Sequence, residues 1–115
     1  MSTTYISPPV DSAEAFRVEI QPGRERVRVV PHGELDIATA PDTAREIDSL
    51  IERGFRAIVI DLRRTTFIDS TGVHLLLRQA RRPDLSMTVI DGPQTVSRVI
   101  DLAGARELLS FEPAL

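Results

Sequence analysis

The chain has no lysine and no cysteine; all 14 of its basic residues are arginine. Without lysine there is no amine for a Schiff base, no P-loop lysine and no phosphate-contacting lysine of a receiver domain. Without cysteine there is no disulfide framework, thiol nucleophile or cysteine metal site. No apolar run approaches the roughly 20 residues of a membrane span. The opening residues, Met1-Ser2-Thr3-Thr4-Tyr5, carry neither the basic nor the apolar region of a secretion signal, so a cytoplasmic protein is expected. Basic charge is not in excess either. The formal net charge is -3, which leaves no electrostatic footprint for nucleic acid.

What is present fits one folded domain. The 115 residues are 42% apolar and 27% charged, ordinary values for a single soluble core. Residues 1 to 14 hold Ser, Thr and a Pro8-Pro9 pair without apolar periodicity, so a mobile tail is expected there, followed by a domain over 15–115. Phe16, Val18 and Ile20 alternate with Arg17 and Glu19, and Val27 and Val29 alternate with Arg26 and Arg28. Two strands joined through Pro22-Gly23 predict an antiparallel hairpin.

The period then becomes helical. Thr39 is expected to cap a helix that has Pro41 in its first turn and Asp42 completing a capping-box-like spacing. Ala40, Ala44, Ile47 and Ile51 share its inner face, and Gly54 ends it. The continuous run Ala57-Ile58-Val59-Ile60 suits a central strand covered on both faces. Val73, Leu76, Leu77 and Ala80 predict a second helix ending before Pro83, and Leu85, Met87 and Val89 a fourth strand. Pro93 opens a third helix in which Val96, Val99, Ile100 and Ala103 repeat the same spacing, with Val96, Val99 and Ile100 expected in the core, closed by Gly104. The expected architecture is a small mixed α/β sheet in β-β-α-β-α-β-α order, an antiparallel hairpin followed by parallel strands with right-handed crossovers.

In such sheets function gathers at the carboxyl ends of the parallel strands. Here those ends are Gly33-Glu34-Leu35-Asp36, the stretch from Asp61 to Gly72, and Asp91-Gly92-Pro93. Asp69-Ser70-Thr71 puts two hydroxyls at the start of the second helix, where free N–H groups and the helix dipole suit an added phosphate. On spacing alone plain helix capping is the better reading, because Asp, Ser and Thr are all preferred caps.

Gly33-Glu34-Leu35-Asp36, Asp61-Leu62, Phe67-Ile68-Asp69-Ser70-Thr71-Gly72-Val73 and Val89 through Gly92-Pro93, with Val96, Val99 and Gly104, together resemble a STAS domain. The nearest type is the bacterial anti-sigma factor antagonist, and the resemblance runs from about Phe16 to Phe111. It implies the STAS-like fold and a binding protein rather than an enzyme, with no cofactor of its own. The implied partner is an anti-sigma factor that is also a serine/threonine kinase and binds ATP itself. That kinase would phosphorylate Thr71, the second hydroxyl residue of the Asp-Ser-Thr-Gly motif, with Ser70 the alternative acceptor. The unphosphorylated form would hold the kinase and free the sigma factor, and a PP2C-type phosphatase would restore it. Asp36, Asp69, Ser70, Thr71, Gly72 and His74 would form the partner-binding surface. A weak homodimer is compatible with the family, and no direct membrane contact is expected. The family often continues into a C-terminal helix near where Pro113-Ala114-Leu115 stand, and the segment before Phe16 is longer than its minimum.

Other readings of the same residues are open to test. Arg63 and Arg64 could engage a phosphate or a partner carboxylate, but a solvated loop pair is the plainer expectation. His74, one turn after Thr71, could steer a phosphate or simply be a surface histidine. A Ser70–His74–Asp triad lacks the Gly-x-Ser-x-Gly elbow. His32 and His74 with scattered carboxylates give no metal-ligand spacing. Asp36, Asp61 and Asp69 could form an acidic Mg²⁺ pocket, but the lysine that accompanies it in receivers is missing. The second functional class is a STAS subunit of a membrane-associated lipid-transport ABC complex, or a scaffold of a stress-signalling assembly.

Overall fold

A computed structural model describes residues 5–6 and 15–114. The expected hairpin is present: strand β2 (Arg17–Pro22) runs antiparallel to β3 (Val27–Leu35) through a turn closed by the Gly23 N–H donating to the Arg26 carbonyl at 2.8 Å. Helix α1 (Ala40–Glu52), strand β4 (Ala57–Asp61), helix α2 (Ser70–Ala80), strand β6 (Ser86–Ile90) and helix α3 (Gln94–Leu102) follow as the periodicity requires. Strands β3, β4 and β6 are parallel neighbours.

Three short strands lie beyond the expected order. β1 (Tyr5–Ile6) pairs antiparallel with β2, β5 (Thr65–Ile68) pairs with β3, and β7 (Phe111–Glu112) extends β6 at the other edge. The described strands form one sheet in the order β1-β2-β3-β4-β6-β7, with β5 alongside β3. Apart from Tyr5–Ile6, the tail expected over residues 1–14 lies outside the described residues.

Strand β3 organises the molecule. Its first half pairs with β4, Val29 opposite Ile60, and its last residues pair with β5, Leu35 opposite Ile68. Between β4 and β5 the chain makes a single 3₁₀ turn, Leu62–Arg64. The pairing shifts register at Gly33, whose φ of 104° is a conformation that a side chain resists. The buried Thr65 hydroxyl donates to the Pro31 carbonyl at 3.0 Å and ties the new strand in place.

One face of the sheet makes the core. Val18, Ile20, Val27, Val29, Ile58 and Ile60 point into it and meet Ile47, Leu50 and Leu76 from the helices. Alternation of two residues per pleat explains the apolar and polar pattern of β2 and of residues 27–29 in β3, whereas in β4 Val59 is buried along with Ile58 and Ile60. On α2 the burial exceeds the expected stripe: Leu75 is buried together with Val73 and Leu76. This helix packs against α1 on one side and against β5 and β6 on the other.

Candidate functional site

Because Leu35 and Ile68 are paired, the residues that follow them, Asp36 and Asp69, leave the sheet side by side. Strand β5 therefore brings together two of the three strand ends singled out in the sequence. The Asp69 N–H donates to the Leu35 carbonyl at 3.3 Å, holding the first turn of α2 over the end of β3.

Asp69 is the N-cap of α2. Its backbone is extended, and its carboxylate accepts the Gly72 N–H at 3.0 Å. Such a cap stabilises a helix by about 1 kcal/mol. Gly72 allows the close approach: a Cβ there would stand 2.4 Å from the Leu35 carbonyl oxygen and 2.6 Å from Ile68 Cγ1. Any larger residue would push α2 off the sheet.

The cap leaves Ser70 and Thr71 in the first helical turn. Ser70 is exposed and Thr71 half-buried, and neither hydroxyl hydrogen-bonds to another described residue. His74, one turn along, is exposed, as the plainer reading expected. The helix start thus offers two hydroxyls, of Ser70 and Thr71, that the fold does not use, in the field of the helix N-terminus.

Asp36 shapes the opposite wall. Its Oδ1 accepts the N–H of Ala38 at 3.0 Å and of Thr39 at 3.2 Å, which locks the turn into α1. Thr39 occupies the N-cap position without capping. Its hydroxyl accepts the Asp36 N–H at 2.9 Å and donates to the Glu34 carbonyl at 2.6 Å, so the side chain braces the loop instead of the helix. The predicted capping box is corrected to an Asp36-centred turn, because Asp36 takes the Thr39 N–H that Asp42 would have accepted and the Thr39 hydroxyl is held by the Asp36 N–H and the Glu34 carbonyl.

Two apolar residues complete the surface. Ile37, at the tip of the turn, is 74% exposed, and Phe67, opposite Glu34 on β5, is 47% exposed. Phe67 was part of the sequence motif, but nothing in the sequence marked either residue as exposed. Both lie close in sequence to the paired strand ends, Ile37 one residue after Asp36 and Phe67 two before Asp69.

Asp61 stands apart from this constellation. Its carboxylate is buried, takes both Nε and Nη2 of Arg63 at 3.0 and 2.8 Å, and accepts the Arg63 N–H at 3.0 Å. Burial raises its pKa, but the hydrogen bonds from Arg63 and the charge of Arg28 outweigh that and hold it below the ordinary carboxylate value. Arg63 and Arg64 are both exposed, as a solvated loop pair should be, but Arg63 is in addition the ion-pair partner of Asp61. The acidic Mg²⁺ pocket is also not assembled: Asp61 is neutralised by arginine. Among the described residues no cluster of His, Cys, Asp or Glu is arranged to hold a metal ion. The third strand end is closed as well, with Asp91 bonded to the Ser97 hydroxyl and to Arg106, both at 3.0 Å.

Comparison with known proteins agrees with this geometry. The STAS domain family model matches residues 16–115. The anti-sigma-B factor antagonist of Staphylococcus aureus is 25% identical over 80 residues, covering 67% of this chain and 74% of that protein. An anti-sigma factor antagonist from Mycobacterium paratuberculosis shares the fold, with a TM-score of 0.77 at 22% identity and 92% of each chain covered. The anti-sigma factor antagonist SpoIIAA in its unphosphorylated form superposes with a TM-score of 0.68 at 26% identity, covering 88% of this chain and 89% of that one. Its phosphorylated form gives 0.62 at the same identity, covering 88% and 92%.

Proposed function

We propose that this chain, which belongs to the STAS domain family, acts as an anti-sigma factor antagonist whose hold on its partner is switched by phosphorylation of Thr71. The observation that carries the reading is the unengaged Thr71 hydroxyl in the first turn of α2, whose N-cap is Asp69, with Ile37 exposed one residue after Asp36 and Phe67 two residues before Asp69. Relatives named as anti-sigma factor antagonists, among them SpoIIAA in phosphorylated and unphosphorylated forms, support it.

In this reading the unphosphorylated surface docks on a kinase-type anti-sigma factor in the cytoplasm, and the bound sigma factor is released. Phosphorylation adds roughly 1.5 to 2 negative charges beside the carboxylate of Asp69. A contact that accommodated a hydroxyl then meets like-charge repulsion and desolvation of a few kcal/mol. With about 1.4 kcal/mol per tenfold, affinity falls a hundredfold or more. The fold tolerates the modification, because the helix N-terminus favours an anion and the hydroxyl has no structural duty. A PP2C-type phosphatase resets the switch, and Ser70 is the secondary acceptor.

A pull-down from host lysate with wild type, Thr71→Ala and Thr71→Glu as baits tests this. A kinase-type anti-sigma factor should be recovered by the first two and lost with Thr71→Glu. Recovery of permease or ATPase subunits, indifferent to the substitution, would replace the reading with that of a membrane-complex subunit.

A further inference from the structure

We propose that the open face of the sheet carries a binding site for a small polyanion, one bearing two or more phosphate or carboxylate groups. The alternation that sends Val18, Ile20, Val27 and Val29 into the core sends Arg17, Glu19, Arg28 and His32 to the other side. There they line a cavity of about 570 Å³ together with Asp61, Arg63 and Arg64. This is within the roughly 300–1,000 Å³ of small-molecule sites. A second hollow of about 520 Å³ adjoins it, sharing Arg17, His32 and Arg64. The lining comes from three strands and the 3₁₀ turn, which are rigid supports for a site.

The charge is unbalanced in one direction. Four guanidinium groups face two carboxylates in this cavity. Both carboxylates are already engaged: Asp61 by Arg63 and, at 3.6 Å, by Arg28; Glu19 by the Gln21 amide and, at 2.8 Å, by His32 Nε2. Arg17 and Arg64 form no hydrogen bond or ion pair with another described residue. They belong to both hollows, so two forks of N–H donors without a hydrogen-bond partner face one space, with the charge of Arg17 acting on Glu19 beside it. Guanidinium groups in that arrangement match oxyanions bidentately. An apolar or cationic ligand would find no complement here, whereas an anion with two or more charged groups would. The chain as a whole is acidic, so this local surplus does not follow from its average charge.

Two-dimensional amide NMR titration with pyrophosphate, and separately with citrate, reads the site directly, with potassium chloride at matched ionic strength as the reference. Saturable shifts are expected around Arg17, His32, Arg64 and Thr66, with one or both anions. Binding to pyrophosphate alone assigns a phosphate ligand, to citrate alone a carboxylate ligand. The double variant Arg17→Gln/Arg64→Gln should keep its thermal midpoint and bind at least tenfold more weakly. Glu19→Gln, which removes a negative charge from the wall, should bind more tightly. Shifts no larger than those from potassium chloride, or equal affinity in the double variant, would overturn the site. Thr71 is untouched throughout, so failure here leaves the partner-switch reading as it was.

Discussion

Ile37 can be assigned to binding with little interference from stability. It is 74% exposed at the tip of a turn whose shape is held by Asp36 and Thr39, so the fold does not depend on its side chain. Ile37→Asp should change stability by no more than about 0.5 kcal/mol. If the turn faces the partner, burying that charge should weaken the complex at least tenfold, or about 1.4 kcal/mol. Calorimetric titration against the captured anti-sigma factor, beside a urea melt of the variant, separates the two effects. Unchanged affinity would remove this turn from the docking surface. The motif residues Asp69 to Val73 were legible in the sequence because helix-start chemistry uses few residue types in a fixed order. Ile37 and Thr39 were not. Whether a loop isoleucine is exposed, or which N–H a threonine meets, depends on a turn that the neighbouring aspartate decides.

At the scale of elements, α2 carries the site and Asp69 starts α2. Its carboxylate caps the Gly72 N–H, so Asp69→Ala should cost about 1 kcal/mol in urea denaturation. Asp69→Asn keeps an acceptor oxygen and should retain nearly all of that. A loss of partner binding in Asp69→Asn, with stability intact, would then report the charge itself. Helices and long strands were readable because their apolar residues recur at 3.6 or 2 residues. Strand β5 was not: Thr65-Thr66-Phe67-Ile68 is four residues long, and its inward Thr65 is satisfied by a hydrogen bond instead of by apolar contact. The carboxyl end of β3 at Gly33–Asp36 was legible, but its change of partner was not, because pairing is not written in the residues of one strand. Pro31 is tolerated opposite Val18, and Gly33 supplies the register shift that lets β3 change partner from β4 to β5. Those two unread features bring Asp36 beside Asp69.

For the whole molecule, the helix-free face of the sheet is tied together by ion pairs, and Asp61 is the buried one. Because its folded pKa lies below the ordinary value, it contributes stability that is fully present above about pH 4 and is lost as pH falls through the folded value. Asp61→Asn should cost about 2 kcal/mol at pH 7, the scale of hydrogen bonds to a charged group. The gap from wild type should narrow as pH drops below about 4. Urea midpoints across that range give the comparison, and a constant gap would mean that packing, not charge, is what Asp61 supplies. Its partner Arg63 sits two residues away in sequence, but neither the burial of Asp61 nor the cavity beside it could be read from order alone. Both arise where β4 turns toward β5.

The most direct measurement is the dissociation constant between this chain and the anti-sigma factor recovered with it, taken before and after stoichiometric phosphorylation, with the modified residue mapped by mass spectrometry. The expected result is a single phosphate on Thr71 and affinity weakened a hundredfold or more, with circular dichroism unchanged. Phosphate found elsewhere, or equal affinity for the two forms, would contradict the switch.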